Sequence, residues 1–165
     1  MRKITPYFAL IGILALADQA AKQLIMKALH LGESVTVIPG FFNITHVHNR
    51  GAIFGFFSHS EKFGIFALLT LAQMTALGLV TVYFFRTPPS EKLMKLGLSF
   101  ILAGAIGNLA DRLFRGYVVD FLEFYIKKWS WPSFNVADSC ITIGAFCLFF
   151  CLFRRKPACT PSSSS

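Results

Sequence analysis

Residues Phe63 to Phe85, FGIFALLTLAQMTALGLVTVYFF, form an uncharged run closed by Lys62 on one side and Arg86 on the other. The hydrocarbon core of a bilayer is about 30 Å thick, and a helix needs roughly 20 mostly apolar residues to cross it. This run is long enough, and it sets the solvent in which the rest of the chain has to be read. Leu96 to Ala110 and Ser139 to Phe153 are shorter uncharged runs. Lys92 and Lys95 lengthen the first by snorkelling at its end, and Val136 and Ala137 extend the second. The opening segment, Ile4 to Ala17, stops at Asp18 and crosses only if Ala20 to Leu29 continues it as helix. Arg2-Lys3, the apolar stretch and Ala15-Leu16-Ala17 also read as a cleavable signal peptide. The retained helix is the better reading, because Asp18 and Lys22 stand at i and i+4 and pair on one helix face.

The expected fold is therefore an all-α membrane protein with four transmembrane helices, about 5–28, 62–86, 92–113 and 136–154. They form one domain over residues 1–153, and 154–165 is a disordered cytoplasmic tail rich in serine. Composition agrees. The 165 residues are 55% hydrophobic and only 15% charged, with a mean hydropathy of +0.59, too apolar for an ordinary soluble domain. The formal net charge of +8 does not indicate nucleic acid, since the basic residues flank apolar runs in twos and threes and do not cluster on one element. Cys140, Cys147 and Cys151 lie on one helical stripe and read as packing residues, and Cys159 in the tail reads as a free thiol. Neither a disulfide nor a cysteine-bound metal is expected.

Between the first two helices, Glu33 to Ile38 and Phe41 to His48 alternate around Pro39-Gly40, which predicts a hairpin. Tyr117 to Trp131 mixes aromatics with lysines and suits further strands or the membrane interface. With four spans both termini share a side. That side holds eight basic residues in short loops and tails and a single acid, Glu91, so it is expected to be cytoplasmic.

Helix parity then gathers four helix ends at the opposite face. Asp18 and Lys22 end the first helix, and Asn49-Arg50-Gly51 precedes the second. Asn108, Asp111, Arg112 and Arg115 close the third, and Asn135 and Asp138 open the fourth. Ionisable groups at membrane depth are costly and mark function. Asn108, Asp111, Arg112 and Arg115 share one helical face, where Asp111 pairing with Arg115 or Arg112 would cap a helix end without any chemistry. Gly104 and Gly107, with Ala103 and Ala105, read as small residues that let helices approach closely. Asp120 and Asp138 need another account: each is a lone carboxylate beside apolar residues. If they meet, they share one proton, giving one group to take a proton from water and one to donate to a carbonyl. An aspartyl protease uses such a pair, and so does the proton relay of a small transporter; a scaffold would use it only as a cap. A relay predicts polar residues near mid-helix, where the second and fourth helices offer little beyond Thr70, Gln73 and Thr75. His46 and His48 share a strand face, but no H-E-x-x-H motif and no third ligand accompanies them.

Five boxes appear in order: Asp18-Gln19-x-x-Lys22; Asn49-Arg50-Gly51-Ala52-Ile53-Phe54-Gly55; Gly104 to Arg112; Arg115-Gly116-Tyr117-Val118-Val119-Asp120-Phe121; and Phe134-Asn135-Val136-Ala137-Asp138-Ser139. Over about residues 4 to 153 the chain resembles bacterial lipoprotein signal peptidase, also called signal peptidase II. The resemblance implies an inner-membrane enzyme that cuts prolipoproteins just before a diacylglyceryl-modified cysteine, without metal or cofactor. Asp120 and Asp138 match its catalytic pair. Asp18, Lys22, Asn49, Gly51, Gly104, Asn108, Asp111, Arg112, Asn135 and Ala137 match positions that support the site or contact substrate. The loop after the first helix matches a small extracytoplasmic β-cradle. Membrane lipids are the other expected partner, nucleic acid is not, and a monomer is the default. Ala103, Ala110 and Ile53 depart from the family pattern and affect packing details.

Overall fold

A computed structural model of the chain describes residues 4–50 and 59–154. The expected tail after Arg154 lies outside the described residues, as does Gly51. Among the described residues, four helices contain stretches long and apolar enough to cross a bilayer: α1 (Thr5–Ala28), α2 (His59–Arg86), α3 (Lys92–Arg115) and α4 (Val136–Arg154). Two ends differ from expectation. α2 begins at His59 rather than at 62, which moves that histidine from the loop into the helix. α3 runs on to Arg115 because Gly116, at φ 75 and ψ 11, closes it in the left-handed conformation, its N–H donating to the Arg112 carbonyl. In α1, the Ala15–Ala17 turn that resembled a cleavage site is regular helix, and Asp18 and Lys22 beyond it are buried.

α3 is the central helix, packed along α1, α2 and α4. Its contact with α4 depends on small residues. A Cβ on Gly97 would lie 2.9 Å from the Gly144 carbonyl, and one on Gly104 would run into the carbonyl of Ala137. Helices in lipid associate through such close van der Waals contact and not through a hydrophobic drive. At the far end of the bundle, Ile11, Phe84, Met94, Leu98, Leu102 and Ala103 form the buried apolar cluster. Lys95 departs from expectation there. Instead of snorkelling it is buried, donating 2.9 Å to the Phe84 carbonyl in the last turn of α2, with its ammonium 4.3 Å from the Phe84 ring centroid. A helix C-terminus offers unpaired carbonyls and a negative dipole end, and these attract the cation inward. In α2, the hydroxyls of Thr70, Thr75 and Thr81 return to the carbonyls of Phe66, Leu71 and Leu77 on the preceding turn.

A four-stranded antiparallel sheet, order β1-β2-β3-β4, comprises β1 (Ser34–Ile38), β2 (Phe42–Asn49), β3 (Val118–Ile126) and β4 (Trp129–Ser130). The expected hairpin is β1-β2, turning through Gly40 at φ 78. The ambiguous aromatic segment supplies β3 and β4. The sheet positions the site through register: Asn49 opposes Val118, so Asp120 is its diagonal neighbour on the same face, within side-chain reach.

The α3–α4 contact makes a test. Gly104→Leu should lower stability by about 1–3 kcal/mol through overpacking. Gly78→Ala, on a glycine with nothing within 4 Å of its added Cβ, should leave the melting temperature in detergent unchanged. Equal melting of both variants would contradict the close crossing.

Candidate active site

The deepest element of the site is a cation. Lys22 of α1 is fully buried, and its Nζ lies 2.8 Å from Asp18 Oδ2, 2.8 Å from Asp111 Oδ2 and 2.9 Å from Asn108 Oδ1. The expected Asp18–Lys22 pair is present, and α3 adds a second carboxylate and an amide oxygen. Asp18 then reaches α4: its Oδ1 accepts the Ala137 N–H at 2.8 Å. That donor is one of the unpaired N–H groups in the first turn of α4, where a negative charge is favoured. The small residues nearby make this possible. A Cβ on Gly107 would come 2.6 Å from Asp18 Oδ2, and Ala137 is entirely buried.

Asp111 binds Lys22, the Val119 N–H at 3.2 Å, Gln19 at 3.1 Å and Arg115. Of the two arginines considered for it, Arg115 is the partner, at i+4. Arg112 leaves that face and donates to Gln73 Oε1 on α2, while Gln73 Nε2 donates 2.8 Å to the Ala105 carbonyl. The Nε of Arg112 is buried and has no hydrogen-bond partner among the described residues. Gln19 completes the frame by donating 3.0 Å to the Gly107 carbonyl and accepting from Arg115 at 2.9 Å.

Asn135 caps α4 reciprocally: the Asp138 N–H donates 2.9 Å to Asn135 Oδ1, and the Asn135 N–H donates 3.2 Å to Asp138 Oδ2. This is a capping box with an amide and a carboxylate three residues apart. The same Asn135 donates through Nδ2 to Asp120 Oδ1 at 2.7 Å. Asp120 is also bound by Asn49 Nδ2 at 2.9 Å, and Asp138 by Asn108 Nδ2 at 2.8 Å. Both expected carboxylates therefore belong to one network, each held by neutral amide donors. Asp120 is buried, and burial pushes its carboxyl up to about 6 against the Asn49 hydrogen bond, with the Asp138 charge acting in the upward direction.

Asp138 faces two clefts. One, of about 340 Å³, lies among α2, α3 and α4, with Asn108, Arg112 and Asp138 beside Leu77, Val80 and Ile101. The other, of about 460 Å³, runs along α4 past Ser139, Thr142 and Ile143 beneath Trp131 and Phe134. Among the described residues no group of three metal-type ligands occurs. His46 and His48 instead bond each other, Nε2 to Nε2 at 3.1 Å, and His46 Nδ1 donates to the Leu29 carbonyl. Burial and the neighbouring His46 and Arg50 hold His48 below the ordinary imidazole range.

The model of the family described as signal peptidase (SPase) II matches residues 10–154. This chain belongs to the signal peptidase II family. It is thus a peptidase, and with four apolar helices a multi-pass protein of a bacterial membrane. It is 44% identical to the lipoprotein signal peptidase of Desulforapulum autotrophicum over 88% of this chain and 90% of that relative. It is 39% identical to that of Syntrophus aciditrophicus over 88% of this chain and 90% of that relative. A solved bacterial membrane enzyme, determined in meso at 1.9 Å, superposes with a TM-score of 0.75 at 34% identity, covering 93% of this chain and 96% of the other.

In this peptidase Asp18, Lys22, Asn49, Gly104, Asn108, Asp111, Asn135 and Ala137 converge with Asp120 and Asp138. Arg112 stands at the lateral cleft. Sequence reasoning gave no role to Gln19 or Gln73. A lone amide in an otherwise apolar span is itself a signal, because an unpartnered amide in hydrocarbon is costly. Lys22→Met should leave the buried Asp18 without a cation and Asp111 with Arg115 alone, and cost about 3–5 kcal/mol of stability. Lys22→Met with Asp18→Asn, which neutralises the carboxylate left without a cation, should recover part of the loss. Thermal unfolding in detergent measures both, and an undiminished melting temperature in the single variant would refute the buried-cation account.

Proposed function

We propose that this peptidase is a membrane-embedded aspartic endopeptidase that removes the signal peptide from prolipoproteins. It cuts before a diacylglyceryl-modified cysteine and uses Asp120 and Asp138 as its catalytic pair. The observation that carries the reading is the double use of Asn135, whose side-chain amide binds Asp120 and whose backbone N–H binds Asp138. Two carboxylates joined through one residue in a poorly solvated site favour sharing a single proton. As water attacks the scissile carbonyl, its proton passes to the ionised carboxylate, and the carboxylic acid protonates the carbonyl oxygen. Collapse of that intermediate breaks the C–N bond, and the amine leaves with a proton returned from the pair. No metal or cofactor enters these steps.

Asn108 and Asn135 orient the pair, and Asp18, Lys22 and Asp111 hold the helices that carry it. Gly104 and Ala137 permit the crossing that brings α4 against α3. Asn49 and Arg112 face the reacting region and are assigned to substrate contact, together with Gly51. The cleft among α2, α3 and α4 admits the apolar part of the substrate from the side, which suits a cysteine anchored by lipid. Residues 1–153 act as one domain and as a monomer among membrane lipids, with both termini cytoplasmic and the pair near the extracytoplasmic face. A transport relay finds no continuation in α2, whose threonine hydroxyls are taken up by their own helix.

Cleavage of a diacylated prolipoprotein peptide in detergent should fall by about 10²–10⁴-fold in Asp120→Asn and in Asp138→Asn. Turnover equal to the wild type in both would sink the proposal.

The raised Asp120 value gives a second test. Below about 6 this group keeps its proton, and above it the pair loses its acid. The profile of kcat/KM should therefore fall on its alkaline side, and Asn49→Leu, which removes a donor favouring the charged form, should move that limb to higher pH. Stability follows the same sign. Because the folded value lies above the ordinary 3.8, the folded state holds the extra proton, and its advantage is lost as pH rises from 3.8 to about 6. Asp120→Asn should accordingly gain stability relative to the wild type over that interval.

A further inference from the structure

The hairpin of β3 and β4 carries a surface that the cleavage chemistry does not use. Trp129 is 85% exposed, Trp131 70% and Ile126 63%. Between them stand Lys127, turned at φ 55, and Lys128, both exposed. Phe41, Phe124, Ile126, Trp129, Trp131 and Phe134 line an open groove of about 510 Å³. Phe124 stacks on Phe42 and on Phe134, with ring centroids 4.9 and 5.9 Å apart, so the floor of the groove is a packed aromatic layer. Water is a poor solvent for such a surface, and an apolar groove edged by indoles and ammonium groups has the composition of a membrane–water interface.

The fold fixes the height of this surface. Trp131 and Phe134 also wall the second cleft, whose other lining residues, Asp138, Ser139, Thr142 and Ile143, belong to the first two turns of the membrane helix α4. The hairpin therefore reaches alongside α4 at the depth where a helix leaves the headgroups and enters hydrocarbon. Charge selects the lipid. Glu123, the nearest acid along β3, is bound by Asn43 at 3.0 Å and Ser130 at 2.8 Å. No described acid is paired with Lys127 or Lys128 in an ion pair.

The geometry points to a lipid site on this hairpin: an anionic phospholipid of the surrounding bilayer, its headgroup on Lys127 and Lys128 and an acyl chain in the aromatic groove. Bound lipid would wall the opening toward Asp138 without touching the pair. The site stands apart from the cleavage reading and is tested without activity. Trp129 and Trp131 are the only two tryptophans of the chain, so tryptophan emission, excited selectively over tyrosine, reports on this hairpin alone.

The full chain is reconstituted in phosphatidylcholine vesicles containing a minor share of phosphatidylglycerol, with the acyl chains of one lipid or the other brominated near the headgroup. Emission should be blue-shifted, resistant to iodide, and quenched more strongly by brominated phosphatidylglycerol than its bulk share predicts. Two cations at headgroup level enrich anionic lipid on the order of tenfold. Lys127→Gln with Lys128→Gln should abolish that preference and keep the quenching by brominated phosphatidylcholine, which also shows that the variant is folded and inserted. Trp129→Phe and Trp131→Phe, made singly, assign the signal to each indole. Emission quenched by iodide and not by brominated lipid would overturn the site, as would quenching by brominated phosphatidylglycerol no greater than its bulk share predicts in the wild type. Relief of the quenching by a diacylated prolipoprotein peptide would give the groove to the substrate and overturn it too.

Discussion

A single ammonium group, that of Lys22, holds the site together. A charge without water is tolerated only where its desolvation is met by partners of good geometry, and Lys22 has three, from α1 and α3. Its neighbours pass the constraint on. Asp18 is fixed by Lys22 on one oxygen and receives the first turn of α4 on the other, while Asp111 is fixed by Lys22 and receives the start of β3. The two elements that carry Asp138 and Asp120 are thus tied to the same buried cation, at one bond's remove on each side. Replacing the cation with an apolar residue would not simply remove a pair; it would release α4 and β3 from a shared reference point.

Between those two elements the bridging is neutral. Asn135, Asn108 and Asn49 supply the hydrogen bonds to the carboxylates, and an amide donor supports a charged carboxylate less strongly than an ammonium would. Had Lys22 pointed at Asp120 or Asp138, the pair would be pinned in the ionised state. The structure keeps the positive charge one layer back and places Asn108 in between, accepting from Lys22 and donating to Asp138.

Much of this was legible in the chain. Hydropathy gave the four helices to within a few residues, and parity alone brought Asp18, Asn108, Asp111, Asn135 and Asp138 to one end of the bundle. What escaped has a common character. That Lys22 meets Asp111 as well as Asp18, that Arg112 turns toward Gln73, and that Lys95 folds inward onto Phe84 all depend on helix rotation and on the distance between axes. Spacing along one helix does not encode either. The departure of Arg112 is instructive, since it lies on the same broad helical face as Asp111 but is its immediate neighbour in sequence, while only Arg115 stands at i+4. The neighbouring helix decided, by presenting an amide that itself needed a partner. The β3–β4 segment was ambiguous for a different reason: strand pairing is set by a distant partner, β2, and aromatics with lysines suit strands and interfaces equally.

The cleft beside Asp138 has walls made of three membrane helices, and its apolar lining gives it a character closer to lipid than to water. A molecule approaching through such an opening arrives by diffusion in two dimensions. The concentration that governs encounter is then a number per unit area of membrane, which rises when a lipid-anchored partner is confined to the same leaflet and does not change when the surrounding aqueous volume is diluted.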